Sequence, residues 1–257
     1  MKILLIAGHG ENDLGAVGNG VCEADKTREL VTLIGELLKN YAEVTTFPFQ
    51  YDCYQQTKNK KGPAWGLYDY VLEVHFNAYN GSAKGTEVLI PTVEPTTQFE
   101  EKVLHYMENL GFVNRGCKKR TDLLNMNMAH KLGVKYFLLE TCFIDNAEDM
   151  RLYFASKQQI ALAVVTAMVE AFRLKTETGE EPKQTSRLFK VQVGVFGKKE
   201  NAESLKAEVE SEGFDAIIFS GFGFHVVQCG AFLSKENADR QVMKLREAGF
   251  DAFVRNY

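Results

Sequence analysis

The sequence predicts an α/β fold: a mostly parallel sheet with helices on both faces, followed by a small ferredoxin-like βαββαβ domain. Apolar runs of strand length occupy residues 3–7, 70–77 and 134–141, and the segments between them place apolar residues at helical spacing. Apolar strands that alternate with helices are typical of parallel sheets covered on both faces. The C-terminal part of the chain repeats itself at a constant offset, which predicts the second domain.

The first strand is predicted to end at Gly8-His9-Gly10, where glycine permits a sharp exit of the chain. Helical spacing of apolar residues follows up to residue 38, so Glu23 falls in or just before the first turn of a helix. Residues 44–47 predict a short strand. Residues 52–67 are rich in Lys, Gln and Gly, and they predict a loop or an exposed helix.

The next two long apolar runs also end at polar side chains. The strand over residues 70–77 carries His75 near its end, and residues 85–90 predict a strand beside it. The strand over residues 134–141 ends on Glu140. Because ligand crevices in open α/β sheets lie at the carboxyl ends of strands, these positions are candidates for an active site.

Three helices are predicted around the last of these strands. Apolar residues from Phe99 to Leu110 have helical spacing. Asn146 is suited to cap a short helix, and Ser156 with Gln159 forms a capping-box pattern that opens a longer one. The following segment carries no apolar side chain, so we predict a domain over residues 1–174, a linker over 175–187 and a second domain over 188–257.

The second domain consists of two halves of similar sequence. Each half predicts strand, helix and strand, which together give βαββαβ with helices on one sheet face. The other face is left to bind a ligand, and Phe196 and Phe232 are predicted near it. Three pairs of segments match at an offset of 36 residues: 192–196 with 228–232, 199–202 with 235–238, and 213–216 with 249–252.

Composition narrows the functional class. The net charge is -4 with dispersed basic residues, which predicts neither a nucleic-acid partner nor membrane insertion. The five cysteines form no CxxC pair, which argues against a disulfide framework or a zinc ribbon. The first apolar run is short and makes a poor signal peptide. We therefore expect a protein made in the cytoplasm that acts elsewhere only after release.

Four residues at predicted strand ends and at one predicted helix start carry side chains suited to metal binding and acid–base catalysis. Two imidazoles and one carboxylate form the ligand set of a catalytic zinc that leaves a position open for water, and a second carboxylate can serve as general base. Spacing alone does not decide which carboxylate has which role. The four candidates are His9, Glu23, His75 and Glu140.

The blocks around these residues closely resemble the zinc-dependent N-acetylmuramoyl-L-alanine amidases of the third amidase family. The resemblance extends from Lys2 to about Leu174. It is carried by Ala7-Gly8-His9-Gly10 with Asp13, Gly15 and Ala16; by Glu23; by Val74-His75-Phe76-Asn77-Ala78 with Gly85-Thr86-Glu87; and by Leu139-Glu140-Thr141 with Phe143, Ile144 and Asn146.

The resemblance implies that His9, Glu23 and His75 hold Zn²⁺ and that Glu140 is the catalytic carboxylate. It implies cleavage of the amide between N-acetylmuramic acid and the L-alanine of the peptidoglycan stem peptide. The C-terminal repeat resembles a SPOR domain, which implies binding to glycan strands stripped of stem peptides. One departure is that residues 47–49 read Phe-Pro-Phe where many family members carry an arginine.

Several functions compete with a peptidoglycan hydrolase. A dinucleotide site fails because the third glycine of GxGxxG would fall at Asp13. Residues 221–227 resemble an RNA-binding signature, but Ser220 replaces the expected basic residue. A non-catalytic cell-wall-binding protein is a further alternative. Phage endolysins and sporulation mother-cell-wall autolysins both share this two-part layout, and the short, divergent region from Phe47 to Leu67 favours the endolysin.

Overall fold

The computed structural model describes residues 1–10, 12–175, 189–221, 224–232 and 235–255. These residues form two compact units, which are described separately below. The first unit comprises the described residues within 1–150 and 160–181, and the second comprises those within 151–159 and 182–257. The predicted linker lies outside the described residues except for Lys175.

A six-stranded, mostly parallel sheet forms the centre of the first unit. Its order is β4-β1-β5-β8-β6-β7. The first four of these strands are parallel, whereas β6 runs antiparallel to β8 and parallel to β7. The strands are β1 (Lys2–Ala7), β4 (Glu43–Thr46), β5 (Tyr70–Asn77), β6 (Thr86–Pro91), β7 (Asn114–Arg120) and β8 (Lys135–Phe143); a short hairpin, β2 (Val17–Gly18) with β3 (Val21–Cys22), stands apart.

Helices cover both faces of this sheet, so the predicted fold class is confirmed. One face packs an aromatic cluster of Tyr70, Phe99, Phe137 and Phe172. The other face packs Trp65, Met126 and Ala129 against alternate strand residues such as Leu4 and Val71. The helices are α1 (Glu23–Leu38), α2 (Cys53–Lys58), α3 (Gln98–Asn109), α4 (Leu124–His130) and α5 (Ala147–Phe172).

The structure corrects three expectations in this unit. Strand β6 does not lie beside β5, because β8 is inserted between them. Residues 52–67 are not exposed throughout: they form α2 and a 3-10 turn over Trp65–Leu67, and both Cys53 and Trp65 are buried. Strand β7 and helix α4 have no counterpart in the predicted elements.

Helix α5 is continuous in outline but interrupted at Ser156, where φ is -134° and ψ is 16°. The predicted helix start at that residue is therefore a break between two helical segments. Asn146 caps the N-terminus as predicted, because its side chain accepts hydrogen bonds from the amides of Glu148 and Asp149. The helix is long and apolar enough to cross a membrane, but 78% of its most apolar window is buried in the protein.

The second unit is a four-stranded antiparallel sheet with two helices, in the order β10-β11-β9-β12. This is the predicted βαββαβ topology. Phe196 and Phe232 are half-buried and pack against the core that includes Ala202 and Ala238 of the helices, so the structure does not leave them on an open face. The elements are β9 (Phe189–Phe196), α6 (Lys199–Ser211), β10 (Ile217–Gly221), β11 (Phe224–Phe232), α7 (Lys235–Glu247) and β12 (Phe253–Arg255).

Candidate active site and metal-binding residues

The four predicted residues come from four separate elements. His9 follows β1 and adopts a φ of 63°, a left-handed conformation that costs free energy for any residue except glycine. Glu23 is the first residue of α1. His75 and Glu140 are direct neighbours across β5 and β8, and Glu87 of β6 stands opposite Glu140 in the same row.

His9 and His75 converge on the carboxylate of Glu23. The distance from His9 Nε2 to Glu23 Oε2 is 3.1 Å, and the distance from His75 Nδ1 to Glu23 Oε1 is 2.9 Å. One donor atom from each of the three residues lies within 4.8 Å of the others. The structure thus brings the three predicted ligands together, although 66 residues separate His9 from His75.

The backbone holds Glu23 in place from two sides. Its carboxylate accepts hydrogen bonds from the amide of Ala16 at 3.0 Å and from the amide of Phe76 at 2.9 Å. The side chain is 3% exposed, and its place at a helix N-terminus favours a negative charge. Glu23 therefore joins the loop after β1, the start of α1 and the end of β5.

The charges of these three side chains stabilise one another. Burial opposes the charged form of each residue, but the hydrogen bonds between them outweigh it. The pKa of His75 is raised well above its ordinary value, the pKa of His9 is also raised, and the pKa of Glu23 is lowered. In the metal-free protein these shifts favour the imidazolium forms of the histidines and the carboxylate form of Glu23.

Two glycines leave room for this cluster. A Cβ atom on Gly8 would lie 2.3 Å from His75 Cε1. A Cβ atom on Gly15 would lie 2.6 Å from His9 Cδ2 and 2.7 Å from Glu23 Oε2. Either side chain would displace one of the three converging side chains. The space, together with two imidazole nitrogens and a carboxylate as donors, fits a metal ion with an open coordination position.

Glu140 lines a cavity that His9 and His75 also line. The cavity has a volume of about 300 Å³, and His9, Glu73, His75, Arg120 and Glu140 are among the residues that line it. Glu140 Oε2 is buried and has no hydrogen-bond partner among the described residues. Burial, together with the nearby carboxylates, raises the pKa of Glu140 from 4.5 to about 7. Such a carboxyl group can take up and release a proton near neutral pH.

Sequence comparison identifies the family. Residues 3–170 match the family model described as N-acetylmuramoyl-L-alanine amidase (Amidase_3), and residues 185–256 match the SPOR domain model. This chain is an N-acetylmuramoyl-L-alanine amidase with a SPOR domain. It therefore hydrolyses peptidoglycan, as the sequence predicts.

Relatives of this amidase include a bacterial enzyme, a phage enzyme and a solved structure. It is 31% identical over 225 residues to the sporulation-specific N-acetylmuramoyl-L-alanine amidase of Bacillus subtilis, covering 85% of this chain and 84% of that protein. It is 26% identical over 189 residues to the endolysin of Bacillus phage SPP1, covering 69% and 68%. The catalytic domain of the CD27L endolysin targeting Clostridia difficile superposes with a TM-score of 0.57 and 25% identity, covering 66% of this chain and 97% of that domain.

Arg28 is a site residue of the amidase that sequence reasoning missed. Its guanidinium group donates hydrogen bonds to the carbonyl oxygens of His9 at 3.0 Å, Phe49 at 2.8 Å and Ala24 at 2.6 Å. It thereby ties the His9 loop to α1 and to the segment that departs from the family pattern. Arg28 lies five residues after Glu23 on α1, which is neither the i+3 nor the i+4 position, so helical spacing from Glu23 gives no signal for it.

Proposed function

We propose that this amidase is zinc-dependent, with His9, Glu23 and His75 as zinc ligands and Glu140 as general base. The scissile bond is the amide between the lactyl group of N-acetylmuramic acid and the L-alanine of the stem peptide. The observation that carries the proposal is the convergence of the three donor atoms within 4.8 Å, beside Glu140, whose buried Oε2 has no hydrogen-bond partner among the described residues.

Zinc at these donors would supply a Lewis acid for the amide carbonyl and lower the pKa of water in the cavity. Glu140 accepts a proton from that water as its oxygen forms the new bond to the carbonyl carbon. The same carboxyl group then donates the proton to the alanine nitrogen as the C–N bond breaks. The products are a lactyl carboxylate and a stem peptide with a free amino terminus.

Purified cell walls provide the test. Zinc-loaded protein should release free L-alanine amino termini without new reducing sugar ends, and removal of the metal with a chelator should abolish that release. Glu140→Gln should keep its zinc and lose about 10²–10⁴-fold in rate, the usual contribution of a general base. Glu101→Gln, which changes an exposed carboxylate on α3, is the matched control. Undiminished release by the chelated protein would refute the zinc proposal.

For the second unit we propose binding to glycan strands that lack stem peptides. The SPOR match and the intact βαββαβ sheet support this proposal. Cell-wall sacculi stripped of peptides should retain the full chain more strongly than untreated sacculi. Retention of labelled single-stranded RNA with no retention of stripped glycan would favour the RNA-binding alternative, whose signature includes residues outside the described part of the chain.

For the biological setting we propose lysis of a cell wall by an enzyme made in the cytoplasm and released later. The relative that covers 85% of this chain is sporulation-specific, which supports turnover of the mother-cell wall. The match to the SPP1 endolysin covers 69% of this chain, and it supports the phage endolysin role, which the sequence analysis favours and which is the second candidate here. Appearance of the protein during sporulation would support the first setting, and appearance only after prophage induction would support the second.

A further inference from the structure

The buried carboxylate of Glu73 contacts His75, one of the proposed zinc ligands, and has no role in the function described so far. It stands two residues before His75 on β5, so both side chains project from the same face of the sheet. The two residues paired with Glu73 in the same row are Ile6 of β1 and Leu138 of β8. Glu73 is itself 6% exposed, so a charged group is buried between two apolar neighbours.

Polar groups from three elements compensate the buried charge. The hydroxyl of Tyr136 donates a short hydrogen bond to Oε2, and the amide group of Asn125 donates one of 3.3 Å to Oε1. His75 Nε2 lies 3.3 Å from the same Oε1. Tyr136 and Asn125 are buried too. Substitution of a buried ionic group and its partners by apolar residues of similar volume is often neutral or stabilising. Stability alone therefore does not account for this carboxylate.

The chemistry of the contact fixes the proton on His75. An ionised carboxylate only accepts hydrogen bonds, and both ring nitrogens of His75 face a carboxylate. In a neutral ring that offers its Nδ1 lone pair to a metal ion, the proton is on Nε2, where Glu73 accepts it. The Nδ1 atom is the one that faces Glu23, 2.9 Å from its oxygen. Histidine ligands of metals commonly donate their second N–H group to a carboxylate, which fixes the ring and raises its basicity.

We infer that Glu73 is a positioning residue that holds His75 as the Nδ1 ligand of the metal. This inference rests on the proposed zinc site. Glu73 contacts Nε2 of the imidazole, whereas Glu23 contacts Nδ1, so Glu73 acts through His75 and not as a ligand. Tyr136 and Asn125 hold Glu73 in turn, and they make the orientation of His75 depend on β8 and α4 as well as on β5.

The same unit offers a matched control. Glu100 is 3% exposed and accepts a hydrogen bond of 3.2 Å from the hydroxyl of buried Tyr70, so it is a second buried glutamate–tyrosine pair. Its pair packs beside Phe99, among the aromatic residues on the other face of the sheet. Glu73→Leu and Glu73→Gln are compared with Glu100→Gln and with the unchanged full-length protein.

Two readouts test the inference apart from activity. Zinc affinity, measured by competition with a chromophoric chelator, should weaken about 10–100-fold in Glu73→Leu. Glu73→Gln, whose amide oxygen still accepts from Nε2, should recover part of that loss, and Glu100→Gln should bind zinc as the unchanged protein does. Nitrogen-15 NMR of the zinc-loaded unchanged protein should show His75 protonated at Nε2, and Glu73→Leu should lose the slow exchange of that proton.

The outcomes separate this inference from the proposed function. If the unchanged protein binds zinc and Glu73→Leu matches it in affinity and in the His75 proton signal, the positioning role is refuted while the zinc site stands. If the unchanged protein binds no zinc, the proposed function itself fails. If Glu73→Leu does not fold, the comparison passes to Glu73→Gln, and an affinity within twofold of Glu100→Gln overturns the inference.

Discussion

Replacing Glu140 by glutamine should stabilise the metal-free amidase at alkaline pH while it removes the proposed general base. The Oε2 atom of Glu140 is buried and has no hydrogen-bond partner in the described part of the chain, and burial raises the pKa of this carboxyl group from 4.5 to about 7. The charged form is therefore disfavoured by the folded state. Glutamine has the same shape and no charge, so the variant escapes this cost.

The magnitude follows from the two pKa values. Below pH 4.5 the carboxyl group is protonated in both the folded and the unfolded state, and the cost is absent. Between pH 4.5 and 7 only the unfolded state ionises, so the folded protein loses stability as the pH rises. Above pH 7 the loss is complete and amounts to about 3 kcal/mol, at roughly 1.4 kcal/mol for each pH unit.

Urea denaturation of the metal-free protein measures this difference. Trp65 is the only tryptophan and is 4% exposed in the first unit, so its fluorescence reports the unfolding of the unit that holds the site. At pH 8.5 Glu140→Gln should raise the free energy of unfolding by about 3 kcal/mol, and at pH 4.5 it should change little. Glu101→Gln serves as the control for a change of net charge. Equal effects of Glu140→Gln at the two pH values would refute the reasoning.

Three further expectations concern the metal ligands and their surroundings. Zinc must displace protons from His9 and His75, whose pKa values are raised. The apparent zinc affinity should therefore fall by up to about 100-fold for each pH unit of acidification. A dissociation constant that does not depend on pH would contradict this expectation. Gly8→Ala should abolish zinc binding because its Cβ would meet the His75 ring, whereas Gly66→Ala, with its nearest neighbouring atom 4.0 Å away, should bind normally in the same titration. Arg28→Lys should lower the free energy of unfolding by about 1.5–3 kcal/mol, because an ammonium group cannot reach all the carbonyl oxygens that the guanidinium group contacts. An unchanged urea denaturation curve would contradict this expectation.

Much of the fold was predictable because the central strands are buried on both faces. In the sequence such strands are continuous apolar runs. His75 and Glu140 lie at the carboxyl ends of these runs, where ligand sites form. Strand β7 escaped prediction because its sequence, Asn114 to Arg120, is basic and lacks apolar alternation. It lies at the edge of the sheet, where pairing with β6 through backbone hydrogen bonds needs no apolar side chain.

The convergence of the site was predictable in part. Residue types at strand ends and at one helix start indicated two histidines and two carboxylates as candidates, and the resemblance of the blocks around them implied the family and the ligand set. Glu73 was not predictable in the same way, because a glutamate within an apolar strand looks like a solvent-facing residue. Only the partners Tyr136 and Asn125, 63 and 52 positions further along the chain, show that the charge is buried and compensated.

Charge balance explains how four buried or half-buried ionisable groups coexist before any metal binds. In the metal-free protein the raised pKa values of His9 and His75 favour the imidazolium forms, and the lowered pKa values of Glu23 and Glu73 favour the carboxylates, so opposite charges face one another. A divalent cation that enters as two protons leave preserves the net charge of such a cluster. Because an unpaired buried charge is costly, we expect the carboxylates to hold the histidines in place in either state. We therefore expect loading with metal to exchange protons within a site whose three donor atoms already lie within 4.8 Å of one another.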